Sequence, residues 1–219
     1  MKRFITQKVI KTIENEAKKF FVNLHGCHDW SHVERVRKLA LKIGRIEGAD
    51  LRVVEIAVLL HDIGRREEDA SKGLICHAEK SAEKSRKLLA KYKLAKQAQE
   101  NILQAILSHR FRKNHEPQTI EAKILFDADK LDSIGAIGIG RDFQFAGEVG
   151  ARLYNLDREN AHKTKAYSEE DTAWREYVVK LSKIKDRMLT KAGKRLAADR
   201  HQFMINFFKQ FWREVDGLK

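Results

Sequence analysis

Apolar residues recur at three- and four-residue steps over residues 5–20, 33–43, 51–60, 102–107, 120–131, 174–184 and 203–211, the spacing that lines one face of an α-helix. Nowhere do β-branched residues alternate with polar ones over a strand's length. The breaks are chemically typed. Gly26, Gly48, Gly64 and Gly73 punctuate the first half, Asn114-His115-Glu116-Pro117 reads as a turn, and the polar stretch from Asp157 to Tyr167 reads as a connection. Beyond it, Ser168 is placed to cap a helix whose first turn, Glu169, Glu170 and Asp171, suits the helix dipole. The pattern predicts an all-α chain of about eight to ten helices, residues 1–219 forming a single domain whose C-terminal helices, about 168–217, pack on the core.

Composition narrows the class without choosing a function. The chain has 219 residues, and 44 Lys and Arg stand against 31 Asp and Glu, a formal net charge of +13. A chain of this size buries roughly 70% of its unfolded surface, ample for one domain and marginal for two. Its longest apolar runs, such as Ile56 to Leu60, fall far short of a membrane span, so no membrane association is expected. The first 21 residues mix Lys and Glu through their apolar positions without a small-residue cleavage site, and no secretory signal is expected. Two cysteines, Cys27 and Cys76, make no disulfide framework; both read as buried thiols of a cytoplasmic protein. The basic excess would attract polyanions such as nucleotides or nucleic acid. Lys80, Glu83, Lys84 and Lys87, interleaved at helical spacing, equally describe a solvated helix surface.

Titratable side chains keep appearing where apolar ones should continue. His32, Val36, Leu39 and Ile43 share one helical face; Val54, Val58 and His61 share another, with Asp62 adjacent and Gly64 as the stop. Ile102, Ile106 and His109 repeat the arrangement, and Leu125, Asp129 and Asp132 set carboxylates on one face. A single such histidine is more often a satisfied core residue than a ligand. Several together, joined by carboxylates from separate helices, match the donor set that neutralises a divalent cation and leaves positions for water and a substrate oxygen.

The order His32, then His61-Asp62, then Asp129 resembles the HD-domain superfamily of metal-dependent phosphohydrolases. The surrounding words, His28-Asp29-Trp30-Ser31-His32-Val33-Glu34-Arg35-Val36, Leu59-Leu60-His61-Asp62-Ile63-Gly64-Arg65 and Asp127-Ala128-Asp129-Lys130-Leu131-Asp132-Ser133-Ile134-Gly135-Ala136, look like its bacterial YedJ/YpgQ-type branch. These matches span residues 28 to about 141. The resemblance implies an HD-domain helical bundle core with the metal held by His32, His61, Asp62 and Asp129, with Asp62 and Asp129 as the catalytic carboxylates. It implies Mn²⁺ or Mg²⁺ as cofactor, with Ni²⁺, Co²⁺, Fe²⁺ or Zn²⁺ as alternatives. His28-Asp29 then falls outside the ligand set. His77 and His109 stand where some superfamily members carry extra histidines that hold a second metal or touch phosphate. Arg65, Arg66 and Lys130 adjoin the ligands and are candidates for phosphate oxygens, the alternative being that they face solvent.

The chain departs from the stringent-response hydrolases of the superfamily, which carry a Glu-Asp pair shortly after their His-Asp; Arg65-Arg66 takes that place. The acidic Glu67-Glu68-Asp69 follows in what reads as a mobile loop to Cys76, with none of the three assignable. Gly135, Gly138 and Gly140 follow no strand and lack the Lys-Ser/Thr of a phosphate loop, so they read as helix-packing glycines. Trp174, Phe203, Phe207, Phe208, Phe211 and Trp212 read as core, or as a dimer face in a monomer or homodimer. The implied reaction is hydrolysis of a small phosphorylated substrate, with a nucleoside triphosphate and pyrophosphate release favoured. A 5′-nucleotidase or phosphodiesterase is the alternative within the superfamily. A non-catalytic nucleic-acid-binding helical module, suggested by Arg110-Phe111-Arg112-Lys113, and a structural bundle with buried ion pairs are the alternatives outside it.

Overall fold

The structure, a computed structural model, describes residues 5–24, 29–71, 73–110 and 115–218. The element order is α1 (Gln7–Lys18), α2 (Trp30–Glu47), α3 (Leu51–Leu60), α4 (Arg65–Ala70), α5 (His77–Leu89), α6 (Lys96–Ser108), α7 (Ile120–Asp132), α8 (Gly135–Glu148), α9 (Ala173–Val179) and α10 (Lys191–Val215). Short 3-10 turns sit at Lys19–Phe21, Ala161–Lys163 and Leu181–Arg187. The described residues contain no strand, as the periodicity predicts. They group into two compact units, one of residues 1–129 and 189–192, the other of residues 130–188 and 193–219.

In the first unit α3 is the central element, in contact with α1, α2, α5 and α6. Its four β-branched residues, Val53, Val54, Ile56 and Val58, cost about 0.5 kcal/mol each in helix propensity, whereas each buried aliphatic side chain contributes about 1.5–3 kcal/mol. Burial wins: all four are sequestered, together with Ala57, Leu59 and Leu60. Local signals fix where the helices begin. Asp29 caps α2 by accepting the Ser31 and His32 backbone N–H groups, and Asp50 caps α3 through those of Arg52 and Val53. Asp29 is thus a helix cap, while His28, Cys27 and Gly26 lie outside the described residues.

Gly64 has a role beyond stopping α3. A Cβ there would lie 2.7 Å from the Ser81 backbone nitrogen, so only glycine lets the turn after α3 seat against α5. Its own N–H donates to Ser81 Oγ at 2.9 Å. The segment after it is not the loop read from sequence as far as Cys76. Residues Arg65–Ala70 form α4, tied by Arg65 to Glu68 and by Lys84 of α5 to Glu67. Cys76, read as buried, is half-buried.

In the second unit the stretch read as one helix over residues 174–184 is α9 followed by the 3-10 turn Leu181–Arg187. Its cap is Thr172, whose Oγ accepts the Arg175 N–H, rather than Ser168. Ser168 instead closes a turn by accepting the Glu170 N–H, which leaves the acidic residues in that turn outside the helix. Trp174 meets Phe208 and Trp212 edge to face, and Tyr177 packs tilted on Phe208, which is fully buried; Phe203, read as core, is 49% exposed. A Cβ on Gly138 would meet the Ser133 carbonyl at 2.4 Å, consistent with a packing glycine, whereas Gly140 faces open space.

Candidate metal and phosphate site

The ends of two helices set the chemistry. α3 runs into His61, whose Nδ1–H donates to the Val58 carbonyl at 2.7 Å, and α6 runs into His109, whose Nδ1–H donates to the Ile106 carbonyl at 2.6 Å. Those carbonyls belong to last turns, where the regular helical pairing runs out and an acceptor is left for the ring; the Val58 carbonyl also takes the His61 backbone N–H at 3.4 Å. The helix end therefore fixes the tautomer, and Nε2 of each ring is left with a lone pair. Burial lowers the pKa of His61, reinforced by His32, and pushes that of His109 well down, reinforced by His77 and His61. Both rings are neutral at pH 7.

These nitrogens meet other donor atoms. His61 Nε2 lies 3.3 Å from His32 Nε2, which is 3.4 Å from Asp129 Oδ1. His77 Nε2, at the start of α5, lies 3.0 Å from His109 Nε2 and 3.1 Å from Asp62 Oδ1. Asp62 stands between the two sets. Its Oδ2 is 3.8 Å from both His32 and His61 Nε2, and its Oδ1 is 3.7 Å from His109 Nε2. Two groups result, His32 with His61 and Asp129, and Asp62 with His77 and His109, each offering three ligand atoms within 4.8 Å of one another. Lone pairs held at such distances repel unless a proton or a cation lies among them. Imidazole nitrogen and carboxylate oxygen form a donor set that suits a first-row divalent ion, so the residues present fit one.

A second layer is charged. The Arg65 guanidinium lies 3.1 Å from Asp62 Oδ2 and 2.6 Å from Glu68 Oε2, and Glu68 also accepts from His77 Nδ1 at 2.6 Å and from Arg110. Burial alone would raise the Asp62 carboxyl; Arg65 and the surrounding imidazoles outweigh it and hold Asp62 well below the usual carboxylate range. Glu68 behaves alike: burial opposes ionisation, and the His77 hydrogen bond with the Arg65 and Arg110 charges overrides it. The five deepest side chains are at most 2% exposed, whereas Asp129 and Arg110 are each 17%, Arg65 13% and Glu68 12%. Those four groups are the part of the assembly that solvent touches.

Of the sequence-derived candidates, His32, His61, Asp62, Asp129, Arg65, His77 and His109 come together in the first unit. Lys130 follows Asp129 on α7 and is half-buried. Arg66 turns away and donates to the Val22 carbonyl from an exposed position. Asp127 and Asp132 belong to neither three-residue ligand group. Asp127 accepts from the Leu189 and Thr190 N–H groups and the Thr190 hydroxyl, and Asp132 accepts from Arg141. Glu68 is the carboxylate that sequence reasoning could not assign, and its placement six residues past Asp62 on a polar helix left no apolar stripe to orient it. Arg110, part of a basic run in the sequence, pairs with Glu68, and residues 111–113 lie outside the described residues. No helix among the described residues is long and apolar enough to cross a membrane.

Comparison with known proteins places this geometry in a family. The HD domain profile matches residues 29–134. YpgQ of Bacillus subtilis (strain 168), described as an uncharacterized protein, is 35% identical over 195 residues, covering 87% of this chain and 86% of YpgQ. A crystal structure of Bacillus subtilis YpgQ in complex with ADP superposes with a TM-score of 0.71 at 30% identity, covering 94% of this chain and 95% of that one. An HD-superfamily hydrolase from Bacillus thuringiensis superposes with a TM-score of 0.73 at 30% identity, covering 96% of this chain and 98% of that one. Ordered His, His-Asp and Asp motifs converging on one buried cluster, within a helical fold shared along nearly the whole length of these relatives, make the chain a member of the HD-domain superfamily of metal-dependent phosphohydrolases.

Proposed function

We propose that this protein is a divalent-metal-dependent phosphohydrolase acting on a small nucleotide, with a nucleoside triphosphate as substrate and pyrophosphate as product. The observation that carries the reading is the approach of His61 Nε2 to His32 Nε2 at 3.3 Å beside Asp129, with Asp62 behind them. His32, His61, Asp62 and Asp129 would hold the ion, with Mn²⁺ or Mg²⁺ favoured. The chemistry such an ion supplies is Lewis acidity toward a phosphoryl oxygen and acidification of water.

The chain's own residues supply the rest. Asp129, the most exposed carboxylate of the set, is placed to orient an attacking water and accept its proton. Asp62, held ionised by Arg65, keeps negative charge deep in the cluster, where a cation offsets it. Arg65 and Arg110, beside the cluster, neutralise phosphate oxygens, and Lys130, the residue after Asp129, is a further candidate for that task; charge-assisted guanidinium contacts are the strong ones for such groups. With Asp62, His77 and His109 would hold a second ion, the role that lone pairs on their Nε2 atoms suit; direct contact with a phosphate oxygen would need a proton on those atoms instead. The ADP complex of Bacillus subtilis YpgQ supports a phosphate-bearing ligand of nucleotide size.

The test is a panel of nucleotides and phosphate esters assayed with several metals, with phosphate and pyrophosphate scored separately. Pyrophosphate from nucleoside triphosphates supports the reading. Phosphate from monophosphates would replace it with a 5′-nucleotidase, and cleavage of diesters with a phosphodiesterase. Salt-steep RNA or DNA binding without turnover would replace it with a nucleic-acid-binding module.

A further inference from the structure

Glu68 touches three site residues at once: His77, Arg65 and Arg110. Its side chain is 12% exposed, and it neither faces the deep nitrogens nor belongs to either three-residue ligand group. Two groups compete for His77 Nδ1. Glu68 Oε2 lies 2.6 Å away, and the Arg110 guanidinium lies 3.1 Å away. They make opposite demands on the ring. A carboxylate can only accept, so it requires the proton on Nδ1; a guanidinium can only donate, so it requires a lone pair there. The shorter contact belongs to the carboxylate, whose other oxygen also takes up Arg110.

We propose that Glu68 is a positioning residue that holds the His77 proton on Nδ1 against the competing Arg110 guanidinium and so keeps His77 Nε2 open toward Asp62 and His109. The proposal rests on the reading of Asp62, His77 and His109 as a metal-binding group. His61 and His109 obtain the same tautomer from helix-end carbonyls. His77 opens α5 rather than closing a helix, so no such carbonyl serves its ring, and a side chain does the task. Carboxylate partners of ligand histidines commonly orient the ring in this way, and their loss typically weakens metal binding by 10–100-fold. Without Glu68, Arg110 donates to Nδ1, the proton moves to Nε2, and that nitrogen presents a hydrogen to Asp62 in place of a lone pair.

The experiment is long-range ¹H–¹⁵N NMR of the imidazoles in metal-stripped wild type, Glu68→Leu and Glu68→Gln, with Mn²⁺ affinity measured by calorimetry on the same samples. The wild type is expected to carry the His77 proton on Nδ1. In Glu68→Leu the proton moves to Nε2 and Mn²⁺ binds about 10-fold more weakly or worse. Glu68→Gln, whose amide oxygen still accepts, restores both and keeps the test open if the leucine variant folds poorly. An unprotonated Nδ1 in the wild type, or a protonated Nδ1 in Glu68→Leu, overturns the proposal. A tautomer shift in a protein that hydrolyses no phosphate compound would leave the positioning role standing and remove the proposed function instead.

Discussion

Asp127 and Asp129 sit two residues apart on α7, and their alanine variants are expected to fail in opposite ways. Asp127 is fully buried and accepts three hydrogen bonds, at 2.8 Å from the Leu189 N–H, 2.8 Å from the Thr190 N–H and 2.6 Å from the Thr190 hydroxyl. Asp127→Ala strands two backbone donors. At about 1–3 kcal/mol for each group left unsatisfied, the loss is about 2–6 kcal/mol, or roughly 10 °C in melting temperature for a chain of this length. Asp129 is 17% exposed and lies 3.4 Å from His32, so its removal costs about 1 kcal/mol. Added Mn²⁺ reverses the ranking. At a hundred times its dissociation constant an ion stabilises the folded state by about 2.7 kcal/mol, a gain Asp127→Ala retains and Asp129→Ala loses. Scanning calorimetry of metal-stripped protein with and without Mn²⁺ measures both. A wild-type Mn²⁺ shift in Asp129→Ala, or unchanged stability in Asp127→Ala, would refute this division of roles.

Three further outcomes are expected. Asp62→Ala abolishes metal-dependent turnover in the nucleotide assay while the far-ultraviolet circular dichroism remains helical; full turnover by this variant contradicts its placement between the two ligand groups. Arg110→Ala lowers kcat/KM for the phosphorylated substrate roughly 10–100-fold, the worth of a charge-assisted hydrogen bond, with most of the change in KM. An unchanged KM would remove Arg110 from the phosphate-binding groups. In the second unit, burial, with Glu176 and Asp171 nearby, pushes the Asp142 carboxyl up to about 8, against the lowering pull of Lys180 and Arg141. The folded state then holds a proton that the unfolded chain releases near its ordinary value of 3.8, so stability falls as pH rises from about 4 to about 8. Asp142→Asn is expected to flatten that decline in urea titrations at several pH values, and a decline as steep as the wild type's counts against the buried acid.

What could be read from the sequence was whatever the core itself imposes. The apolar stripes of α2, α3, α6 and α7 announced their helices, and histidines interrupting those stripes announced the cluster, because a polar residue on a buried face must have a partner. Hydrophobic periodicity is blind to elements held by charge. α4, Arg-Arg-Glu-Glu-Asp-Ala, has no apolar stripe and is held by ion pairs from Arg65 and Lys84, and so it reads as loop, taking Glu68 with it. Nor does spacing distinguish carboxylates that share a helix. Asp127, Asp129 and Asp132 lie close together in sequence, yet the middle one meets His32, the first satisfies the backbone at Leu189 and Thr190, and the last accepts from Arg141. Arg110 looks like part of a basic run until Glu68 is seen beside it.

The central claim is that the His32, His61, Asp62 and Asp129 cluster binds a divalent ion needed for hydrolysis of a phosphoanhydride. Its most direct test is turnover of nucleoside triphosphates by metal-stripped protein before and after Mn²⁺ is restored, with pyrophosphate and phosphate quantified separately. The account predicts no turnover in the stripped protein and pyrophosphate release once the ion is added. Full activity in the stripped protein, or no hydrolysis of any nucleotide with any first-row divalent ion or Mg²⁺, would contradict it.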